Sequence, residues 1–493
     1  MNQKAVSALF LILSQAVNVV LLFLFTPYLV RALPREMYGS YSQALFLTEF
    51  TGILFTMAIL QTAMVFFNDK KYSFPDSLKT IVVFTLGAGV LALLALEVFS
   101  IPAPHIFRNE LLGPYLRIYA FSLLGSKLNL VLNQALIHQG KSRQLMILSV
   151  SSNLLKLCLA LLAIQKFHSM PFLLMVYAAE PLISSAIQWY LLKKEKQCNG
   201  RFDNVLLKQI FRIGLPLYLV EILGASYTYI AGFIISLNLN EVQYALYRNG
   251  SVELPVIGTL YTSISLVFMA DFSKYIQEGK PEWVAAIKKK MITTTAVLIF
   301  PVAIFFVWFS REFILLYLSS KYEGSAPVFA FFSLVLLVRV QNYTDVLVLL
   351  RKPQYVLMSF AVFLISNVSL NLILSHYYGI YGCAVATILS VFILAFMQLH
   401  LTIRELHVSY SQYIDVRALS IILLSSVLYI GVFKLLFYYI PVSHLVAFLT
   451  AGILTVPVLI FVFIRKKLVD ISHYQSIFEK IPWMGMKLYR LLQ

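Results

Sequence analysis

Charge is scarce in this chain. Aspartate, glutamate, lysine and arginine together make up 12% of its 493 residues, about half the share found in a soluble domain. A water-facing surface cannot be covered with so few charges, so a soluble protein is excluded. Cysteine is nearly absent: Cys158, Cys198 and Cys383 lie far apart, and neither a disulfide framework nor a metal-ligand spacing follows from them. No glycine-rich phosphate-binding loop occurs, which removes ATP as a direct energy source. His105, His138, His168 and His376 stand singly at expected helix ends and read as local hydrogen-bonding groups, not as metal ligands. Long hydrophilic segments are missing too. A polymerase, ligase or glycosyltransferase needs a sizeable extramembrane loop to hold its catalytic groups, so the chain reads as no enzyme, and no cofactor is expected.

What the chain has instead is hydrocarbon. Sixty per cent of the residues are hydrophobic and the mean hydropathy is +0.82. Apolar runs of bilayer-spanning length, roughly 20 residues each, recur from end to end. The chain reads as an all-α polytopic membrane protein of about fourteen spans, near 5–30, 38–67, 80–101, 111–137, 144–166, 170–192, 206–237, 241–270, 291–309, 325–350, 355–376, 380–403, 416–439 and 444–465. The first run is about twice the length of a secretory core and lacks a small-x-small cleavage site, so it is expected to be a span and not a cleavable leader.

The basic residues set the orientation. With both termini cytoplasmic, 27 of the 39 lysines and arginines fall on the inner side, six outside and six within spans; the 22 acids divide 11, 5 and 6. The formal net charge of +17 is therefore a topology signal and not a nucleic-acid signal. Two segments are expected to lie in the interface: a short amphipathic helix after Pro281-Glu282-Trp283, and the basic, apolar-dotted tail from Lys466 onward. Both suit contact with anionic membrane lipids.

The two halves rhyme. Glu36-x-Tyr38-Gly39 opens span two and Glu241-x-x-Tyr244-Ala245 opens span eight. Gly140-Lys141-Ser142-Arg143 leads into a span with Asn153, and Arg351-Lys352-Pro353 into one with Asn367 and Asn371. This gives two six-helix pseudo-repeated lobes plus two C-terminal helices: an N-lobe over 1–195, a C-lobe over 196–405, spans 13–14 over 406–465 and a cytoplasmic tail over 466–493. Repeat-built transporters hold substrate between their halves near the midplane and alternate access by rocking.

Three stretches carry a family resemblance. Tyr378-Gly379-Ile380-Tyr381-Gly382-Cys383-Ala384-Val385-Ala386-Thr387 resembles the signature that opens span twelve of polysaccharide flippases. Arg212-Ile213-Gly214-Leu215-Pro216 is similar to that family's opening of span seven, and Lys321-Tyr322-Glu323-Gly324-Ser325-Ala326-Pro327 to its loop before span ten. The pattern differs at Gln243, where the family commonly has Gly, and at Cys383, where it has Ala. The resemblance implies a flippase for O-antigen or capsule, of the multidrug/oligosaccharidyl-lipid/polysaccharide exporter superfamily. Such a protein moves undecaprenyl-pyrophosphate-linked oligosaccharide across the bacterial plasma membrane and works beside envelope polysaccharide assembly proteins. A lipid II flippase and a multidrug or ion antiporter of the same superfamily are the alternatives. Spans 13–14, the lack of an acid in span one and several intramembrane cations speak against the antiporter.

A charge inside a span is costly and faces a cavity or a partner. The cations so placed are Arg117, Lys127, Lys156, Arg248, Arg339 and Lys434; the acids are Glu49, Glu97, Glu180, Glu221, Glu253 and Asp345. Glu97 and Lys434 lie near span ends and are expected to snorkel. Helical spacing puts Ser149, Ser152, Asn153 and Lys156 on one stripe, and Tyr244, Tyr247, Arg248 and Ser251 on another; Ser7, Ser14 and Asn18 share a side of span one. These stripes either line a cavity or tie helices together. For a diphosphate-bearing lipid, a cationic wet cavity lowers the crossing barrier, and hydroxyl and amide groups replace the sugar's water. The substrate-binding candidates are Arg248, Lys127, Lys156, Arg339, Asn18, Asn153 and Tyr247. Glu221 and Glu49 are the candidates for coupling to H+ or Na+. The alternative, that six cations and six acids simply pair, stays open.

Overall fold

The computed structural model describes residues 3–56, 59–194, 198–252, 268, 271–440, 442–466 and 468. Among these the chain is all-helical, with no strand. Lipid offers no hydrogen-bond partners, so the backbone must satisfy itself, and helices do so within one segment. Eight described helices are long and apolar enough to cross a membrane, and ten if two bent pairs each count as one span. The chain is a multi-pass membrane protein.

The expected spans take several forms. Span two is Arg35–Thr56 followed by Ile59–Phe66 at 43°, and span seven, Asn204–Asn238, bends by 57° between Gly224 and Tyr229. Span four is two helices, Leu112–Ala120 and Ser122–His138. Spans eleven and twelve run as Pro353–Leu406 with a sharp reversal at Gly379, whose φ of 56° and ψ of −133° is a conformation that favours glycine. Gly382 then sits against the Leu374 carbonyl, so the two arms meet closely. Most of span eight, Glu253 included, and the tail beyond Leu468 lie outside the described residues.

Two expectations need correction. The segment after Pro281 is not a separate interfacial helix: it forms the first turns of the unbroken Pro281–Trp308 helix, with Val284 and Ala285 fully buried. Span ten is not one helix. It runs Ser325–Leu334, tightens at Val335–Leu337, loses helical form over 338–344 and resumes at Asp345–Leu349.

The chain divides into two compact units, Met1–Ala245 and Leu246–Gln493. In the first, Ser122–His138 packs on Met170–Lys193 and Gln3–Ala32 packs on Ser142–Gln165. An apolar cluster that includes Phe66, Leu78, Ile81, Leu132, Leu136 and Leu206 binds the far ends of these helices. Side-chain caps fix several starts: Ser73 accepts from the Asp76 amide, Ser169 from Phe172, and Asp203 from Val205 and Leu206, satisfying amides a helix start leaves unpaired. In the second unit Pro281–Trp308 is the axis, packed by Ser325–Leu334, Val416–Tyr439 and His444–Arg465. Its core includes Phe300, Phe309, Ile422, Ile430 and Phe463. Spans 13 and 14 are thus built into this unit's core.

Candidate functional site

Lys127 lies on the Ser122–His138 helix against Gly52 of Arg35–Thr56. A Cβ at Gly52 would stand 2.8 Å from Lys127 Cε and 3.2 Å from Nζ, so the missing side chain is what makes room for the lysine. Glu221, from span seven, and Glu49, from span two, are both within electrostatic reach of it. One Glu221 oxygen, Oε2, is buried without a hydrogen-bond partner. Glu49 is exposed, fifteenth in a 22-residue helix whose Ser42, Gly52 and Thr56 are buried. An exposed carboxylate at that depth does not face hydrocarbon. The structure therefore gathers Lys127, Glu49 and Glu221, which the sequence offers only as separate residues on spans four, two and seven.

Lys156 has a partner. Its Nζ is 3.5 Å from Glu180 Oε2 and 5.5 Å from the Tyr177 ring centroid, and about a fifth of each charged side chain stays open to solvent. Tyr177 meets Tyr41 edge to face with centroids 6.1 Å apart, and Tyr119 is within electrostatic reach of Glu49, Tyr177 and Glu180. Glu180 and these tyrosines were no part of the sequence-based site. The i, i+3 spacing of Tyr177 and Glu180 was a readable sign of a polar face; the cross-helix pair was not.

Asn18 and Asn153 join spans one and five. Asn153 Nδ2 donates to Asn18 Oδ1 at 3.1 Å, and Asn18 Nδ2 donates to Ser149 Oγ at 2.8 Å. Interhelical bonds of this kind replace the hydrophobic driving force that lipid removes. Ser14 beside them is buried.

In the second unit Arg248 is exposed and Tyr247 beside it is buried, its ring 5.8 Å from Phe332; Tyr244, in the first unit, is buried too. Arg339 is half-buried within the unwound part of span ten. Asp345 holds Lys288, which the loop count had placed in the cytoplasm: the two are 2.7 Å apart and both side chains are fully buried. Lys288 Nζ also donates to the Asn342 carbonyl at 3.1 Å. Lys434 does not snorkel; it pairs with Glu312 at 2.5 Å. The span eleven–twelve hairpin hides a polar seam. Gln398 Nε2 donates to Ser359 Oγ at 3.0 Å near its open end, and Cys383 faces Ser375 near the turn. That register sets Asn371 level with Thr387. Asn367, Asn371 and Thr387 are buried, and Asn367 Oδ1 and Nδ2, Asn371 Oδ1 and Thr387 Oγ1 have no hydrogen-bond partner.

Two adjoining apolar grooves, about 650 and 490 Å³, run along Phe74–Phe99 and share Phe55 and Leu91. The Tyr218 hydroxyl, donating to the Leu54 carbonyl, closes one wall. No group of three His, Cys, Asp or Glu side chains fit for a metal occurs among the described residues.

A family described as polysaccharide biosynthesis protein matches residues 28–327, more than half of the sequence. The chain belongs to that family. Two of the resembling stretches, Arg212–Pro216 and Lys321–Pro327, lie inside the matched range. No curated protein matches it in sequence. Among solved structures it is similar to the lipid II flippase MurJ in an inward closed conformation, at 14% identity and a TM-score of 0.71, covering 94% of this chain and 100% of that one. It is similar also to an inward-facing multidrug resistance MATE family transporter of the MOP superfamily, at 15% identity and a TM-score of 0.60, covering 80% and 94%. At these identities the likeness establishes the fold: this member of the polysaccharide biosynthesis family has the helical architecture of that superfamily.

Proposed function

We propose that this family member is a flippase that carries undecaprenyl-pyrophosphate-linked oligosaccharide across the bacterial plasma membrane for surface polysaccharide, by alternating access and driven by an ion gradient, with both termini cytoplasmic. The observation that carries the reading is a set of exposed and half-buried charges (Glu49, Lys127, Lys156, Glu180, Arg248) on helices of a multi-pass membrane protein, in a chain of a polysaccharide biosynthesis family. A diphosphate cannot cross hydrocarbon unaided, and a wet path lined by cations and hydrogen-bonding groups lowers that barrier. Arg248 and Arg339 are assigned to the diphosphate, because a guanidinium binds phosphate oxygens in pairs. Lys127 shares its surroundings with two acids, which suits it to relaying the coupling ion's charge to the substrate path. The polyprenyl tail stays beside the apolar grooves, in lipid.

Glu221, with its orphaned oxygen, is the first candidate for the coupling ion. The hairpin oxygens of Asn367, Asn371 and Thr387 are the second, because unpaired oxygens are what a hard cation takes as ligands. Arg248→Ala is expected to abolish surface polysaccharide at normal protein levels; normal export in that variant removes Arg248 from the pathway. Glu221→Gln is expected to make transport insensitive to an imposed ion gradient, measured in proteoliposomes. Retained gradient dependence moves the coupling role to the hairpin.

A further inference from the structure

We infer that the first unit carries a glycan-binding subsite, made by Tyr119 and Tyr177, backed by the buried Tyr41, with Glu49, Glu180 and Lys156, which grips the sugars and leaves the diphosphate to other groups. The inference rests on the flippase reading and assigns part of the substrate to one place. The residues come from four spans, and the three tyrosines share a level. Tyr41, Tyr119 and Tyr177 each lie seven or eight positions into their helices, Arg35–Thr56, Leu112–Ala120 and Met170–Lys193, which is about 10–12 Å of helix rise. All three helices start from the same end of the unit. There Ser40 donates to Asn109 Oδ1 at 3.1 Å, and Asn109 donates to Gln43 Oε1 at 2.8 Å. With cytoplasmic termini this is the outer end, where a flipped glycan emerges.

The chemistry fits sugar and disfavours diphosphate. Each lysine here has a carboxylate within reach, Lys127 with Glu49 and Lys156 with Glu180, so the patch carries no cationic excess to hold a diphosphate. A pyranose offers C–H faces to aromatic rings and hydroxyls to mixed donors and acceptors. Here three phenols stand beside two carboxylates and an ammonium, with Tyr177 ringed by Tyr41 at 6.1 Å and Lys156 at 5.5 Å. Were the cluster only a tie between helices, its ion pair would be tight and dry, as Lys288–Asp345 is at 2.7 Å with no exposure. Lys156–Glu180 is instead 3.5 Å long and about 20% exposed on each side, so both groups retain capacity to bond hydroxyls.

The test uses the full chain in proteoliposomes with two fluorescent polyprenyl diphosphates, one bearing a single N-acetylhexosamine and the other a tetrasaccharide. Tyr177→Ala is expected to slow the tetrasaccharide probe by about tenfold, the worth of one good aromatic contact, and to leave the one-sugar probe within about twofold. Tyr177→Phe keeps the ring and its packing, and Glu180→Gln keeps the volume; each is expected to slow only the larger probe, by about threefold, as loss of one hydrogen bond does. Equal slowing of both probes in all three variants overturns the subsite while leaving the flippase reading in place. A wild-type protein that moves neither probe overturns the flippase reading, and the subsite with it.

Discussion

Two lysine–carboxylate pairs, one in each unit, are built in opposite ways. Lys288–Asp345 is dry: its Nζ takes both carboxylate oxygens and the Asn342 carbonyl, beneath the Phe272 ring. Lys156–Glu180 is longer and about a fifth exposed on each side, and an exposed charge within a span faces a wet cavity or a partner. A dry pair cannot exchange partners without stranding a charge in a medium that does not solvate it, so it fixes structure. A wet pair loses little when a ligand takes its place, so it is available for binding. On the proposed flippase reading, the loosely held charges are the ones a substrate can reach.

The dry pair also explains the break in span ten. No glycine or proline lies in 338–344, so nothing in the local sequence calls for a break. The freed backbone is satisfied by side chains: Lys288 takes the Asn342 carbonyl and the Tyr343 hydroxyl donates to the Val338 carbonyl at 2.9 Å. Non-helical backbone at membrane depth is tolerated where protein supplies such partners. Four helices that contain an internal proline, Pro27, Pro181, Pro301 or Pro457, run on unbroken, and the fifth, with Pro216, bends well beyond it, between Gly224 and Tyr229.

Three substitutions sharpen the contrast. The largest effect is expected from Asp345→Ala, which leaves Lys288 buried and unpaired. Such losses cost about 3–5 kcal/mol, to be read as a large fall in thermal unfolding temperature in detergent; an unchanged transition would show that water reaches Lys288 and that the pair is not dry. Gly52→Ala comes next. The new Cβ meets the flexible end of Lys127 and Leu123 Cδ2, so stability is expected to fall by about 1–2 kcal/mol, the lower part of the range for an added methyl because both neighbours can shift, while transport drops because the lysine is displaced. Wild-type transport in that variant would detach Lys127 from the path. Smallest is the stability effect of Glu180→Gln, about 1 kcal/mol or less for a solvated pair, measured in the same unfolding assay. A loss as large as that of Asp345→Ala would erase the distinction between the two pairs.

Much of the fold was legible beforehand. Hydropathy marks Phe74–Phe99, Ser142–Gln165, Val416–Tyr439 and His444–Arg465 within a few residues, because a lipid-crossing helix must be apolar along its whole length. The site was legible only in fragments. Glu49, Lys127 and Glu221 each stand out as charges in spans, but residues 49, 127 and 221 have no periodic relation to one another. Asn18 and Asn153 stand out too, and the structure spends them on each other. Lys288 was hidden because it sits among Lys289 and Lys290, where a basic run reads as a loop, although the helix from Pro281 had already begun.

Composition and periodicity by themselves determined that this protein is a many-helix membrane protein, since hydrocarbon imposes one rule on every segment that crosses it. Which charges pair tightly, which stay wet, where span ten unwinds and which tyrosines gather around Glu180 were decided only by tertiary packing. These are relations between residues on different helices, and the chain's local chemistry carries no record of which helices will meet.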